Sequence, residues 1–199
     1  MQALRTYIDQ QTQSTISDVD FALIAAELLP YKLQKKQYLL QAGEVCRYQA
    51  FIVKGALRLY TVDTRGNKQI HVLGTENMWI GDRESWSQLM PSRYYIDAVE
   101  DAQLLLINCP QAQELVRRVP LVAELVRIQD ERNAIAAQRR LHDAIACSAE
   151  ERYAAFVAQH PTYVQRFSQL MIASYLGISP ETLSRIRTRL PPVPTPAGS

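Results

Sequence analysis

The stretch QLMIASYLGISPETLSRIRTRL, residues 169–190, predicts two short helices joined by a tight turn. Ala173 is small where two helix axes must cross closely, and Gly177 stands where the first helix needs a left-handed residue to end. Ser179 is a suitable N-cap, and Pro180 suits the first helical position that follows it. These features predict a helix-turn-helix whose second helix starts at Ser179.

The predicted second helix has an apolar face and a polar face. The spacing of Leu183, Ile186 and Leu190 is typical of residues that pack against a core. The polar side is predicted to face DNA and consists of Ser179, Glu181, Thr182, Ser184, Arg185 and Thr188. An ordinary helical corner with a solvated face is the alternative, but the S-x-E-x-x-S-R row in this context favours DNA recognition.

The row Glu181-Thr182-Leu183-Ser184-Arg185 resembles the E-x-x-S-R row of the Fnr-like branch of the Crp/Fnr family of bacterial transcription regulators. The resemblance implies that these polar side chains read bases. A carboxylate can accept a hydrogen bond from cytosine N4, a hydroxyl can serve several base edges, and a guanidinium can grip guanine O6 and N7. Arg187 and Arg189 would contact phosphates, or else be solvated residues near the helix end.

The overall composition does not indicate DNA binding, so that prediction depends on the local arrangement of residues in the second helix. Of 199 residues, 22 are Lys or Arg and 20 are Asp or Glu, an excess too small to indicate nucleic acid binding by itself. The hydrophobic share of 47% is normal for a chain with a buried core. Apolar runs of membrane-spanning length and a signal-peptide core are missing, so we expect a cytoplasmic protein without a membrane partner.

Cysteine and histidine spacing argues against a metal centre, a cofactor or catalysis. The three cysteines, Cys46, Cys109 and Cys147, are far apart and lack C-x-x-C spacing, which predicts free thiols. The oxygen-sensing members of the resembled family carry an N-terminal cysteine cluster that this chain lacks. The three histidines form no H-x-H or H-x-x-x-H pair, and nucleophile-elbow, P-loop and Rossmann motifs are missing. We therefore expect a protein that is not an enzyme.

Residues 1–108 predict helices followed by a small β-barrel. Helical spacing covers residues 1–29, where Pro30 is expected to end the second helix, and residues 31–108 contain many short strands separated by turn residues. Four glycines fall where the resembled family has glycines in its effector-binding β-roll: Gly43, Gly55, Gly66 and Gly81. The expected fold is α+β, with N-terminal helices, a double-stranded β-helix (jelly roll or β-roll), a long dimerisation helix and a C-terminal helix-turn-helix lacking the wing.

The predicted effector pocket departs from the pattern of nucleotide-binding members. Ile80-Gly81-Asp82 resembles their F-G-E element, but the acid is shorter, and Arg93 is followed by Tyr94 and Tyr95 instead of Ser/Thr-Ala. Two aromatic rings would crowd a phosphate. The candidate pocket residues are Gly81, Asp82, Arg93 and Tyr94. We expect no response to cAMP, which leaves open another small effector or a filled roll, and Arg93 could equally be a salt-bridged surface residue.

A helix is predicted over Val119–Cys147, because this run contains no glycine and its only proline is Pro120, next to the start. A heptad-like stripe runs along it through Leu121, Leu125, Ile128, Arg132, Ile135, Arg139 and His142. The resemblance implies that this stripe is a dimer interface. The predicted interface residues are Leu121, Leu125, Ile128, Arg132 and Ile135. A helix lying on its own barrel would use the same apolar positions. Palindromic DNA recognition, which needs two copies, favours the dimer.

Four segments follow from these patterns: an effector domain at 1–118, a dimerisation helix at 119–147, a DNA-binding domain at 148–190 and a flexible proline-rich tail at 191–199. The predicted function is a homodimeric transcription regulator that places two recognition helices in successive major grooves about 34–36 Å apart. Its partners would be double-stranded DNA and a second copy, and the resemblance allows a small-molecule effector and RNA polymerase. The alternative is a β-roll regulator that binds a ligand or a protein without sequence-specific DNA binding.

Overall fold

The computed structural model describes residues 1–189, so the predictions for Leu190 and for the tail at 191–199 lie outside the described residues. The chain divides into two compact units. The first contains residues 1–61 and 72–134, and the second contains residues 62–71 and 135–189. None of the helices within the described part combines the length and hydropathy that crossing a bilayer requires.

Two helices open the first unit: α1 (Gln2–Thr12) and α2 (Asp18–Glu27). The hydroxyl of Ser17 caps α2 by accepting a hydrogen bond from the Asp20 N–H at 3.0 Å. The prediction that Pro30 ends this helix was wrong, because the backbone is already extended at Leu28 and Pro30 lies within a strand. That strand is at the edge of its sheet, where a residue without an N–H is tolerated.

The predicted run of short strands forms two four-stranded sheets. Its strands are β1 (Leu29–Leu33), β2 (Tyr38–Leu40), β3 (Tyr48–Lys54), β4 (Leu57–Val62), β5 (Lys68–Gly74), β6 (Trp79–Ile80), β7 (Tyr95–Ala98) and β8 (Ala102–Asn108). Their orders are β1-β8-β3-β6 and β2-β7-β4-β5. The antiparallel register places Leu29 opposite Leu106 and Leu59 opposite Ile96. The expected β-roll is confirmed.

Strand β8 shows how alternation builds the core of this unit. Leu104 and Leu106 join a cluster formed by residues of both sheets, whereas Leu105 and Ile107 pack on the other side with α1 and α2. Helix α3 (Arg83–Gln88) lies between β6 and β7, and α4 (Cys109–Arg118) and α5 (Pro120–Ala146) follow β8. The long helix is therefore confirmed within one residue of each predicted end.

In the second unit, α5 leads to α6 (Ala149–Gln159), α7 (Tyr163–Arg166), α8 (Gln169–Leu176) and α9 (Pro180–Arg189). Ser148 and Glu151 form a capping box at the start of α6, with hydrogen bonds of 3.2 and 2.7 Å. The buried core shared by these helices is aromatic and aliphatic: Tyr153, Phe156, Tyr163, Phe167, Ile172, Ala173, Leu183 and Ile186.

Candidate nucleic-acid interface and effector site

The turn between α8 and α9 has the predicted backbone conformation. Gly177 has φ = 66°, and a Cβ there would have no neighbour within 4 Å, so the backbone conformation alone explains the glycine. Its N–H bonds to the Ser174 carbonyl at 3.2 Å, and the Ile178 N–H bonds to the Ala173 carbonyl at 3.0 Å. Ala173 is fully buried, as a close crossing of two helices requires.

Ser179 caps α9. Its hydroxyl oxygen accepts a hydrogen bond from the Thr182 N–H at 3.1 Å and lies 3.1 Å from the Thr182 hydroxyl. The Ser179 carbonyl accepts from the Leu183 N–H at 3.0 Å, which is the first backbone bond of the helix. The predicted start of the second helix is therefore confirmed.

The two faces of α9 separate as the sequence predicts. Leu183 and Ile186 are buried in the core that α9 shares with α6 and α8. The side chains on the opposite face are exposed, except Thr182, which is half-buried. The exposed residues of the predicted DNA-facing set are Ser179, Glu181, Ser184, Arg185, Arg187, Thr188 and Arg189. This face thus combines hydrogen-bond acceptors, hydroxyls and cations.

Hydrogen bonds along the helix surface constrain Arg185. Its Nη2 donates to the Thr182 hydroxyl at 3.2 Å, and the Thr188 hydroxyl donates to the Arg185 carbonyl at 2.8 Å. The pKa of Glu181 is lowered, chiefly by its own backbone N–H, then by the Ser179 side chain and the charge of Arg185. At neutral pH the row therefore presents an ionised acceptor beside a permanent donor.

The tip of the β4–β5 hairpin packs against α8 within the second unit, which the sequence did not predict. The Ser174 hydroxyl accepts from the Ile70 N–H at 3.0 Å and donates to the Lys68 carbonyl at 2.7 Å. The Gln69 amide donates to the Ser174 carbonyl at 2.9 Å. Because β5 is the outer strand of its sheet, its outward backbone groups have no neighbouring strand. Ser174 bonds two of them, the Ile70 N–H and the Lys68 carbonyl. Sequence patterns carry no signal for contacts across more than 100 residues.

In the first unit, Asp82, one of the residues predicted for an effector pocket, lies at the start of α3. Asp82 caps this helix: its Oδ1 accepts from the N–H groups of Glu84 and Ser85 at 3.1 and 3.3 Å. Its Oδ2 accepts from the hydroxyl of Ser92 at 2.7 Å, and both side chains are buried. Helix N-termini commonly bind anions, but here the protein's own carboxylate occupies those N–H groups.

The other candidate pocket residues have different surroundings. Gly81 lies against the side chain of Gln49, with which any Cβ would collide. Arg93 is exposed, and its Nη2 lies 3.6 Å from the Glu84 carboxylate. Tyr94 packs against the apolar core of the β-roll. Arg93 thus matches the alternative of a salt-bridged surface residue, while Tyr94 fills space inside the roll.

The predicted dimer stripe divides into a packed half and an exposed half. Leu125 is buried in the core of the first unit, where Leu121 also packs, and Ile128 is half-buried. This part matches the alternative of a helix lying on its own barrel. Arg132 and Ile135 are exposed, so the second half of α5 keeps the surface that a second copy would need.

Comparisons with known proteins agree with this architecture. Residues 30–119 match the family model of the cyclic nucleotide-binding domain. The solved structure of FixK2 from Bradyrhizobium japonicum is similar, with a TM-score of 0.69 at 19% identity over 81% of this chain and 83% of that one. The c-di-GMP-responsive global regulator CLP of Xanthomonas campestris has a TM-score of 0.70 at 10% identity, covering 87% and 91%.

A third similar structure is the catabolite activator protein of Thermus thermophilus, with a TM-score of 0.58 at 19% identity over 90% of this chain and 85% of that one. No curated protein matches the chain. At these identities the structural likenesses establish the fold, which extends over most of each compared chain.

Proposed function

We propose that this chain, which has the fold of the Crp/Fnr regulators and carries a cyclic nucleotide-binding domain, is a sequence-specific DNA-binding transcription regulator. One observation carries the proposal: Glu181, Ser184 and Arg185 are exposed together on α9, while Leu183 and Ile186 on its other face are buried. A helix used only for packing has no need of a row that combines an acceptor, a hydroxyl and a bidentate donor.

In this proposal α9 enters the major groove with its N-terminal half against the bases. The Arg185 guanidinium would bind guanine O6 and N7, the ionised Glu181 would accept from cytosine N4, and Ser184 would serve a neighbouring base. Arg187 and Arg189, exposed in the last turn, would contact phosphates and set the position of the helix without selecting sequence.

The active form is proposed to be a homodimer that reads a palindromic operator. The second half of α5 supports this proposal, because it exposes three large apolar side chains: Ile135, Leu141 and Ile145. Pairing with a second copy would remove this surface from water. Two copies of α9 about 34–36 Å apart would then contact successive major grooves.

We further propose that the β-roll does not respond to cAMP. A cyclic phosphate would have to displace Asp82 from the N–H groups it caps and would meet the uncompensated carboxylate. Arg93 is paired with Glu84 on the surface. Calorimetric titration of the full chain with cAMP should therefore give no saturable heat, and micromolar binding would contradict this part of the proposal.

The main experiment is a gel shift with a genomic fragment first selected by the parent chain. Arg185→Ala should abolish selective retention of the fragment, because it removes the base-reading donor. Arg117→Ala is the matched control, since it removes an exposed arginine of α4, outside the proposed interface. Circular dichroism and light scattering should show the same fold and mass for all three proteins. Equal binding by Arg185→Ala and the parent would refute the proposed role of α9.

A further inference from the structure

The last turn of α5 and its exit carry three different donor side chains that converge in space. His142, Asp143 and Cys147 each offer one ligand atom, and these atoms lie within 4.8 Å of one another. The Asp143 Oδ1 is at the centre, 3.4 Å from the His142 Nδ1 and 3.8 Å from the Cys147 Sγ. Asp143 and Cys147 are four residues apart, the spacing at which side chains of a helix approach each other.

The two distances from the Asp143 Oδ1, to the His142 Nδ1 and to the Cys147 Sγ, are close to those of tetrahedral coordination. Zinc binds nitrogen at about 2.0–2.1 Å, carboxylate oxygen at about 2.0–2.2 Å and sulfur at about 2.3 Å. At tetrahedral angles these bond lengths place nitrogen about 3.3 Å from oxygen, and oxygen about 3.6 Å from sulfur. The two pairs centred on Asp143 are within a few tenths of an ångström of those values. The His142 nitrogen and the Cys147 Sγ lie within 4.8 Å of each other, and side-chain rotations that bring them to about 3.5 Å would complete a three-ligand set.

The neighbouring groups leave the three donors available to a cation. The Arg152 guanidinium donates to the main-chain carbonyls of Asp143, Ala144 and Cys147 at 3.3–3.5 Å, and not to the Asp143 carboxylate. Asp143 and Glu151 place two negative charges near the Cys147 thiol, and Arg152 places one positive charge there. The net negative charge attracts a divalent ion, which would bind the sulfur in place of the thiol proton.

We propose that His142, Asp143 and Cys147 form a site for a zinc-type divalent ion, with water as the fourth ligand. A thiolate beside an imidazole and a carboxylate suits zinc and excludes magnesium and calcium, which prefer oxygen ligands. The site joins the end of α5 to Cys147, directly before the Ser148 cap of α6. Metal binding would therefore stabilise the turn between α5 and α6. The arrangement H-D-x-x-x-C differs from the C-x-x-C, H-x-H and H-x-x-x-H spacings that are typical of metal sites.

Cobalt(II) titration of the chelator-treated full chain tests the proposal. One equivalent should produce a thiolate-to-cobalt charge-transfer band and the visible bands of tetrahedral cobalt, and Zn²⁺ should displace both. Cys147→Ser should remove the charge-transfer band although Cys46 and Cys109 remain. His142→Gln and Asp143→Asn should each weaken zinc binding by at least about tenfold. Glu150→Gln, which alters an exposed acid outside the three donors, is the matched control and should bind like the parent.

A labelling experiment on the parent chain avoids dependence on variant folding. Saturating Zn²⁺ should slow iodoacetamide labelling of Cys147 by at least about tenfold, because a metal-bound thiolate is shielded. Labelling of the buried Cys46 and Cys109 should not change. The proposal is overturned if cobalt gives no charge-transfer band, if Cys147→Ser retains that band, or if Zn²⁺ leaves the labelling rate of Cys147 unaltered.

Discussion

The starts of α3 and α9 use similar residues for opposite purposes. At α3, Asp82 caps the helix from a buried position and also bonds Ser92, so its hydrogen-bonding capacity is used inside the β-roll. At α9, Ser179 caps the helix at the surface and leaves Glu181 and Arg185 exposed. A polar residue at a helix start therefore indicates a binding site only when its hydrogen bonds are not already made within the protein.

Of the changes predicted here, the salt dependence of DNA affinity should be the greatest, because the arginines of the two regions differ in exposure. Arg93 is paired with Glu84 beside α3, whereas Arg185, Arg187 and Arg189 are exposed along α9. Arg187 and Arg189 would give four phosphate contacts in a dimer, so affinity should fall on the order of 10²-fold between about 50 and about 200 mM salt, because counterions are released. Fluorescence anisotropy with the selected fragment measures this slope. An affinity that is flat in salt would contradict a DNA-binding role for α9.

Asp82→Ala should produce the largest loss of stability. It leaves the N–H groups of Glu84 and Ser85 and the buried Ser92 hydroxyl without their acceptor, which should cost about 2–3 kcal/mol. Tryptophan fluorescence during urea unfolding reports this change, because Trp79 and Trp86 both lie in the first unit.

Asp82→Asn is the control for that measurement, since it retains one acceptor oxygen and should lose less stability. If the fluorescence midpoints of Asp82→Ala and the parent coincided, the buried hydrogen bonds of Asp82 would not stabilise the start of α3.

Ser179→Ala should cost about 1 kcal/mol, because an exposed cap is partly replaced by water. The loss should appear in the helical circular dichroism signal on heating, while the tryptophan transition of the first unit stays at its parent temperature. Ser184→Ala, an exposed substitution on the same helix outside the cap, should leave both transitions unchanged. A Ser179→Ala variant that melts at the parent temperature would show that capping by Ser179 contributes nothing.

The smallest effect should come from acidification of the second unit. Burial lowers the pKa of His160, which stacks on Tyr163 with ring centroids 4.5 Å apart. Below about pH 6.5 the unfolded histidine takes up a proton that the folded one resists, so stability should fall as pH decreases. His160→Asn should show a smaller difference in melting temperature between pH 7.5 and 5.5 than the parent does. A larger difference in the variant would contradict this assignment.

The features that the sequence predicts correctly depend on neighbouring residues. Gly177 in the left-handed region, the cap at Ser179 and the two faces of α9 follow from interactions across a few positions. The alternating strands likewise predicted the β-roll. Such features are local, so residue type and spacing are sufficient to predict them.

The sequence did not predict which polar and apolar groups contact partners that are distant in the chain. Asp82 meets Ser92, Ser174 meets the β4–β5 hairpin, and Leu125 enters the core of the first unit. Each pairing needs the chain to bring separate segments together. The free energy of burial and hydrogen bonding then depends on the three-dimensional neighbour rather than on sequence spacing.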